Sequence, residues 1–238
     1  MEKLVERLRS ASVLTVLTGA GISSESGLPT FRGINGLWRD HRVEELASPE
    51  GFERDPRLVW TWYNERRAAH AAAQPNAGHN AIAGLEERFE DFTLVTQNVD
   101  SLHLRAGSRN VLELHGHLRQ ARCNGCGARA DISRGLALKA IEHSCGGRFR
   151  PDIEWFGEPL PNDIWERSVA AAQRAEVILV VGTSGMVHPA AALCSVYGER
   201  AYIAEVNPEE TLLSAHADAC FRERAAVFLP KLLAATCA

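Results

Sequence analysis

The sequence predicts an α/β fold built on a doubly wound parallel sheet, and three observations carry that reading. Short apolar runs rich in β-branched residues recur at 13–17, 92–95, 177–181 and 202–206, each bounded by turn or polar residues. Alanine-rich stretches of helical character lie among them, at 77–89 and 165–175. The first run leads, through Thr18, into Gly19-Ala20-Gly21. Continuous apolar runs of this length suit strands buried on both faces, as in parallel sheets flanked by helices. With 45% hydrophobic and 24% charged residues, 19 Gly and 10 Pro, the 238-residue chain has enough apolar surface for a real core, which excludes disorder, collagen and coiled coil. A net charge of −4 argues against a polyanion binder.

Two stretches break the alternation and are expected to lie beside the sheet as insertions within one domain, 1–238. One is Trp/Arg-rich, at 36–75, and reads as helical; the other is rich in Cys, Gly and Arg, at 119–150. Near the N-terminus the only apolar run is 13–17, too short for a secretory core. Residues 177–198 carry no Asp, Glu, Lys or Arg, but Gly182, Gly185 and Pro189 interrupt them, so they read as strand, loop and helix rather than a membrane span. The expected address is the cytoplasm.

A glycine turn where a strand hands over to a helix permits close approach to a pyrophosphate, and the helix start offers unpaired N–H groups. Here the third glycine of the dinucleotide fingerprint is replaced by Ser24, and no acidic residue ends a second strand about 20 positions on. Nucleotide binding without hydride transfer and a turn needed only for packing both remain open on this segment alone. Asn98, Asp100 and His115 stand just beyond apolar runs, where open α/β sheets place ligands.

Three of the six cysteines, Cys123, Cys126 and Cys145, crowd into one stretch, whereas Cys194, Cys220 and Cys237 are scattered. That spacing favours a metal site in a reducing compartment over a disulfide scaffold. Segment 119–150 holds seven basic and two acidic side chains, a net +5 that leaves the remainder at −9. A nucleic-acid face, a solvated basic face, or arginines bridging to the sheet would each produce that imbalance. Phe149 is its one aromatic residue, which disfavours the first.

The stretch 19–33, GAGISSESGLPTFRG, resembles the NAD-binding signature of the sirtuins, the NAD-dependent protein lysine deacylases. Further blocks resemble that family in order: Thr96-Gln97-Asn98-Val99-Asp100 with His103, Leu114-His115-Gly116, Trp155-Phe156-Gly157-Glu158, Gly182-Thr183-Ser184 and Asn207-Pro208-Glu209. The resemblance spans nearly the whole chain. It implies a Rossmann-like doubly wound parallel sheet with a zinc-ribbon module and a helical insertion. It also implies that NAD is consumed: the acyl oxygen of a modified lysine attacks the ribose carbon bearing nicotinamide, and the acyl group leaves on ADP-ribose.

In that resemblance His115 is the general base, and Asn98 and Asp100 orient the nicotinamide ribose and carboxamide. Gly19, Ala20, Gly21, Ser23 and Gln97 contribute to the NAD pocket, where Phe31 and Arg32 cover the nicotinamide end. Gly182, Thr183 and Ser184 contact phosphates or ribose, Asn207 the adenosine ribose, and Ala225 the adenine through its backbone. Trp155, Phe156 and Gly157 meet the acylated lysine. Cys123, Cys126 and Cys145 supply a structural zinc ribbon whose second Cys-x-x-Cys pair is incomplete. His143, Glu142 or water completes it, unless the thiols are spare and no metal binds.

Tyr63 and Arg66, at i and i+3, project from one face of a helix. A core tyrosine beside a solvated arginine fits the residues taken by themselves, but the Tyr-x-x-Arg spacing resembles that of class III sirtuins. There a phenol and a guanidinium fork receive the carboxylate of succinyl- and malonyl-lysine. The expected partners are therefore acidic acyl-lysines, with acetyl-lysine second, and neither membrane nor nucleic acid. One departure stands out: the residue before Trp155 is usually apolar in this family, but here it is Glu154, which either opposes an acidic acyl group or recruits basic residues around the target lysine.

Overall fold

The computed structural model describes residues 1–29, 37–38, 41–195 and 201–237. From the N-terminus, α1 (Glu2–Ser10) leads into β1 (Val13–Thr18), a 3-10 helix (Ala20–Ser26) and a small hairpin, β2 (Leu37–Trp38) and β3 (His41–Arg42). Helices α2 (Val43–Leu46), α3 (Pro49–Arg54), α4 (Pro56–Ala72) and α5 (Ala77–Glu86) follow, then β4 (Asp91–Thr96), α6 (Leu102–Arg105) and β5 (Val111–Glu113). Next come β6 (Gly116–Cys123), β7 (Arg129–Asp131) and β8 (Phe149–Ile153). The chain then continues through α7 (Asn162–Arg174), β9 (Val177–Val181), β10 (Tyr202–Val206), β11 (Ala219–Phe221) and α8 (Ala225–Cys237).

Six strands form one sheet in the order β11-β10-β9-β1-β4-β5, with every neighbouring pair parallel. Alternate residues of its apolar strands feed opposite cores, because successive side chains of a strand point to opposite faces. Val177, Leu179 and Val181 join Tyr202, Ala204 and Val206 under α1, α5 and α8, whereas Ile178, Val180 and Ile203 pack with Ala172 of α7 and Ala175 just beyond it. The four apolar runs read from sequence are the four central strands. The two edge strands, β5 and β11, escape that reading because each is only three residues long, too short to stand out as a run.

The expected side insertions merge into one lobe. Strands β7, β6 and β8 form an antiparallel sheet. Ala121, Ile132 and Ile153 from its strands and loops share a core with Phe52, Val59, Trp60 and Trp62 of the helical segment. Helix α4 starts on Asp55, whose carboxylate accepts from the Leu58 N–H at 2.9 Å, with Pro56 at the first turn, where its missing N–H costs nothing. Its polar face is tied to the lobe: the Trp60 indole donates to the Phe149 carbonyl (2.8 Å), and the Asn64 carboxamide both donates to and accepts from the Leu136 backbone. Among the described residues, no helix is long and apolar enough to cross a membrane.

Candidate functional site

Strands β1, β4 and β5 run to one side and β9, β10 and β11 to the other, so strand order reverses between β1 and β9. In open α/β sheets the crevice beyond the carboxyl ends at such a reversal is where ligands bind. Two glycine loops meet there. The Gly19 N–H donates to the Val181 carbonyl at 3.0 Å and the Gly21 N–H to the Gly182 carbonyl at 2.8 Å. A Cβ on Gly21 would lie 2.7 Å from the Gly182 Cα, and one on Gly19 2.8 Å from the Thr183 Cβ. These glycines therefore let two loops touch, a packing role compatible with a nucleotide crevice. The segment Ala20–Ser26 is a seven-residue 3-10 turn closed by Gly27 at φ +82°, not the expected α-helix, so no extended helix start faces the crevice.

Along the same edge the polar side chains form a connected row. The Gln97 carboxamide, just past β4, donates to the Thr183 hydroxyl (2.9 Å), and Asn207, just past β10, donates to the Thr183 carbonyl (2.9 Å). Asn98 spends its carboxamide donors on the Gly19 carbonyl (3.1 Å) and Ser23 Oγ (3.2 Å). Ser23 in turn donates to Asp100 Oδ2 at 2.7 Å, while Asp100 Oδ1 accepts from the Leu102 N–H. Asn98, Asp100 and Ser23 are all buried.

Thr18, Asn76 and His79 were not singled out by the sequence, yet they organise this cluster. Asn76 caps α5 in a reciprocal box: its side chain accepts from the N–H groups of Gly78 and His79, and its own N–H donates to His79 Nδ1 at 3.3 Å. That bond assigns the ring proton to Nε2, which lies 3.4 Å from Ser23 Oγ. A directed chain thus runs from Asn76 through His79 and Ser23 to Asp100. Thr18 donates to Thr96 Oγ1 and faces His103 Nε2 at 3.0 Å. The legible signal was Asn76-x-x-His79, an N-cap with a polar partner three residues on. Burial holds the pKa of His79 down to about 4 and that of His103 well below its usual value, so both rings are neutral near pH 7.

His115 stands beside this cluster with Nδ1 3.0 Å from the Gln97 carbonyl. A carbonyl only accepts, so the proton sits on Nδ1 and Nε2 keeps its lone pair. Burial lowers the His115 pKa, partly opposed by the Gln97 carbonyl and the Glu154 charge. His117, two residues on, is half-buried, and burial lowers its pKa as well. Gly182 and Ser184 lie on the same edge, Ser184 Oγ accepting from the Met186 N–H at 3.4 Å. Ala20 opens the 3-10 turn, and Ala225 is buried at the start of α8. Phe31 and Arg32 lie outside the described residues.

At the lobe side, Tyr63 and Trp155 are buried and bonded to each other, the indole Nε1 donating to the phenol oxygen at 2.8 Å. The Arg66 guanidinium lies over the Trp62 ring at 5.0 Å, and burial lowers its pKa against the attraction of Tyr63 and Asp100. Phe156 is exposed, and Gly157 turns the chain at φ +86°. Glu154 is answered: its carboxylate takes a two-pronged bond from Arg122, at 2.6 and 2.9 Å, and its N–H donates to the His115 carbonyl. Its charge is thus matched inside the lobe.

The cysteine cluster closes with a histidine. Cys123, Cys126, His143 and Cys145 each bring one donor atom, all within 4.8 Å of one another. Cys123 and Cys145 sulfurs are 3.5 Å apart, and His143 Nδ1 is 3.6 Å from Cys126 Sγ and 3.1 Å from Cys145 Sγ. A tetrahedral zinc with Zn–S near 2.3 Å and Zn–N near 2.0 Å needs donor edges of roughly 3.5 to 3.8 Å, so the set fits a structural zinc. Glu142 drops out as a ligand, because its carboxylate is turned to Arg148 at 3.2 Å.

The model of the Sir2 family matches residues 19–189. An NAD-dependent protein deacylase of Aquifex aeolicus is 50% identical over 222 residues, covering 92% of this chain and 93% of its own. A deacylase of the same name from Thermus thermophilus is 48% identical over 222 residues, 90% and 87% of the two chains. A crystal structure of a Sir2 homologue complexed with NAD superposes with a TM-score of 0.94 at 44% identity, covering 99% of this chain and 93% of that one. A Sir2 homologue mutant holding 2′-O-acetyl ADP ribose gives a TM-score of 0.93 at 43% identity, with 99% and 96% covered. The paired glycine loops, the Asn98–Ser23–Asp100 cluster and the zinc-binding lobe are therefore those of a sirtuin: the chain belongs to the Sir2 family.

Proposed function

We propose that this NAD-dependent protein deacylase acts on acyl-lysines of proteins and takes succinyl and malonyl groups by preference, with acetyl as a second substrate. NAD, when bound, supplies an electrophilic ribose carbon and nicotinamide as the leaving group, so that the acyl group ends on ADP-ribose. The chain's own residues bind, orient and move a proton. Asn98, its donors already spent, has Oδ1 left for a ligand donor, and the Asp100 carboxyl is oriented by Ser23 and the Leu102 N–H. His115, with Nδ1–H fixed by the Gln97 carbonyl, offers Nε2 as the base for a ribose hydroxyl. Gln97, Thr183 and Asn207 form the polar edge along which the dinucleotide would lie.

The observation that carries the acyl preference is the pairing of Tyr63 with Arg66 one turn apart on α4, where the two attract each other and Arg66 is also drawn to Asp100 of the nicotinamide end. A guanidinium and a phenolic donor in a partly desolvated setting match a terminal carboxylate far better than a methyl group. The match of Glu154 to Arg122 removes the opposing charge. The arginines of the cysteine-rich lobe are likewise engaged: Arg119, Arg129, Arg148 and Arg150 pair with Glu113, Asp152, Glu142 and Glu158. That supports a protein substrate over a nucleic-acid one.

The test is turnover of succinyl- and acetyl-lysine peptides by wild type and Arg66→Met, with products weighed. Nicotinamide with O-succinyl-ADP-ribose, and a loss in Arg66→Met confined largely to the succinyl peptide, is the expected result. Equal losses on both peptides would overturn the acyl preference. Reduced NAD or ADP-ribosylated protein in place of O-acyl-ADP-ribose would overturn deacylation itself.

A further inference from the structure

A phenol oxygen accepts hydrogen bonds and donates one proton, whereas an indole nitrogen only donates. The contact between Trp155 Nε1 and the Tyr63 hydroxyl, 2.8 Å long and buried, therefore has one possible polarity. The indole gives its proton to the phenol oxygen, and the phenol's own proton must go elsewhere. Among the described residues no acceptor takes it. A buried O–H without a partner costs free energy that a ligand oxygen would relieve.

Trp155 is itself held from three sides. The Arg150 guanidinium lies 3.4 Å over its ring and the Phe52 ring is 5.4 Å away. Its backbone N–H donates to Glu158 Oε2 at 2.8 Å. Arg150 is locked in turn by two bonds to Glu158 and one to the Ile153 carbonyl. The indole N–H is thus a fixed donor, and the phenol cannot rotate to accept from it and also donate to it. A phenylalanine at this position would keep an aromatic ring against Phe52 and lose the donor.

We propose that Trp155 is a specificity-determining positioning residue whose indole N–H commits the Tyr63 hydroxyl to donate toward the acyl group, so that the pocket selects acyl chains ending in a hydrogen-bond acceptor, above all a carboxylate. This rests on the reading that Tyr63 and Arg66 receive the acyl end. Burial pushes the Tyr63 pKa up to about 12, so the proton to be donated stays on the phenol at every working pH.

The experiment is steady-state kinetics of Trp155→Phe on succinyl- and acetyl-lysine peptides. The ratio of kcat/KM for succinyl over acetyl is expected to fall about tenfold, equivalent to about 1.4 kcal/mol, through a rise in the succinyl KM with its kcat little changed. An unchanged ratio, or a loss carried by kcat on both peptides, would overturn the proposal. Tyr63→Phe supplies the second arm should Trp155→Phe fold poorly: it leaves the indole in place and is expected to lower the same ratio, and an unchanged ratio there overturns the proposal too. In the double variant the Trp155 change is expected to add nothing to the ratio; an added loss means the indole acts by another route. Arg66→Met separates the layers. If it is succinyl-selective and Trp155→Phe is not, only the role of Trp155 falls; if Arg66→Met is not selective, the acidic-acyl reading falls and takes this proposal with it.

Discussion

The crevice edge of the parallel sheet and the lobe beside it are built from opposite chemistry. At the crevice most of the work is done by neutral groups and backbone gathered around the Asp100 carboxyl: glycine loops in contact, carboxamides spent on carbonyls and hydroxyls, and histidines that burial keeps uncharged. In the lobe the connections are ionic. Arg122, Arg129 and Arg150 interleave with Asp152, Glu154 and Glu158, three cations against three anions around strands β6 and β8. The +5 charge of segment 119–150 is therefore largely internal wiring, because the acids of 152–158 and Glu113 lie just outside its sequence limits. The crevice is thus held by close approach of backbone, as at Gly21 and Gly182, whereas the lobe is held by paired charges.

The largest effect expected from that contrast is at His115. His115→Ala removes the only base we assign and should lower kcat by about 10² to 10⁴ on every acyl peptide, the usual worth of general-base catalysis. Formation of O-acyl-ADP-ribose in a single-turnover assay checks it. A loss confined to one acyl group would move His115 from the shared end to the selective one.

Next comes the metal. His143→Ala deletes one of four donors set within 4.8 Å and should leave purified protein with well under one zinc per chain and a lowered Tm. Full zinc retention, measured by elemental analysis, would show that water or another side chain completes the tetrahedron. Gly21→Ala should follow in size. Its Cβ would sit 2.7 Å from the Gly182 Cα, a backbone atom that cannot swing aside. Overpacking of this kind costs about 1–3 kcal/mol, and NAD affinity should fall with it, since the two loops can no longer close. Denaturant melts with and without NAD read both.

Much of this was legible because it repeats along the chain. Four buried strands announced themselves as unbroken apolar runs, and Asn98 and Asp100 lay just past one of them, whereas His115 follows the short β5. Contacts distant in sequence were not legible. Nothing in Tyr63-Asn64-Glu65-Arg66 tells that an indole 92 residues away holds the phenol, nor that Arg122 would find Glu154. The glycine loop misled in one respect, since its glycines serve loop-to-loop contact and the segment beyond is a 3-10 turn. His143 could be ranked above Glu142 by chemistry, but only the pairing of Glu142 with Arg148 removes the rival.

The buried histidines make the stability of the fold depend on pH. His79 has a folded pKa of about 4 against about 6.5 when unfolded, and His70 is lowered to the same value by burial and by Arg66. Between those two pH values the unfolded chain binds protons that the folded chain refuses, so stability rises with pH across the window. Acidification from pH 7 toward pH 4 should therefore lower the unfolding free energy, by up to about 1.4 kcal/mol per pH unit for each such group. His79→Asn should flatten the slope. An unchanged slope would mean that His79 is charged when folded.

The smallest effect belongs to the lobe surface and returns to the metal. Glu142 and Arg148 pair at 3.2 Å with side chains 70% and 37% exposed. Such pairs contribute about 0.2–1 kcal/mol because water screens them and two flexible chains must be held. Glu142→Ala should therefore shift Tm by only a degree or two at low salt, less at high salt, and leave zinc content untouched. If zinc is lost in Glu142→Ala and kept in His143→Ala, the carboxylate has left Arg148 for the metal. The lobe surface would then share the habit of its charged interior, where Arg122 already lies within reach of Asp152, Glu154 and Glu158.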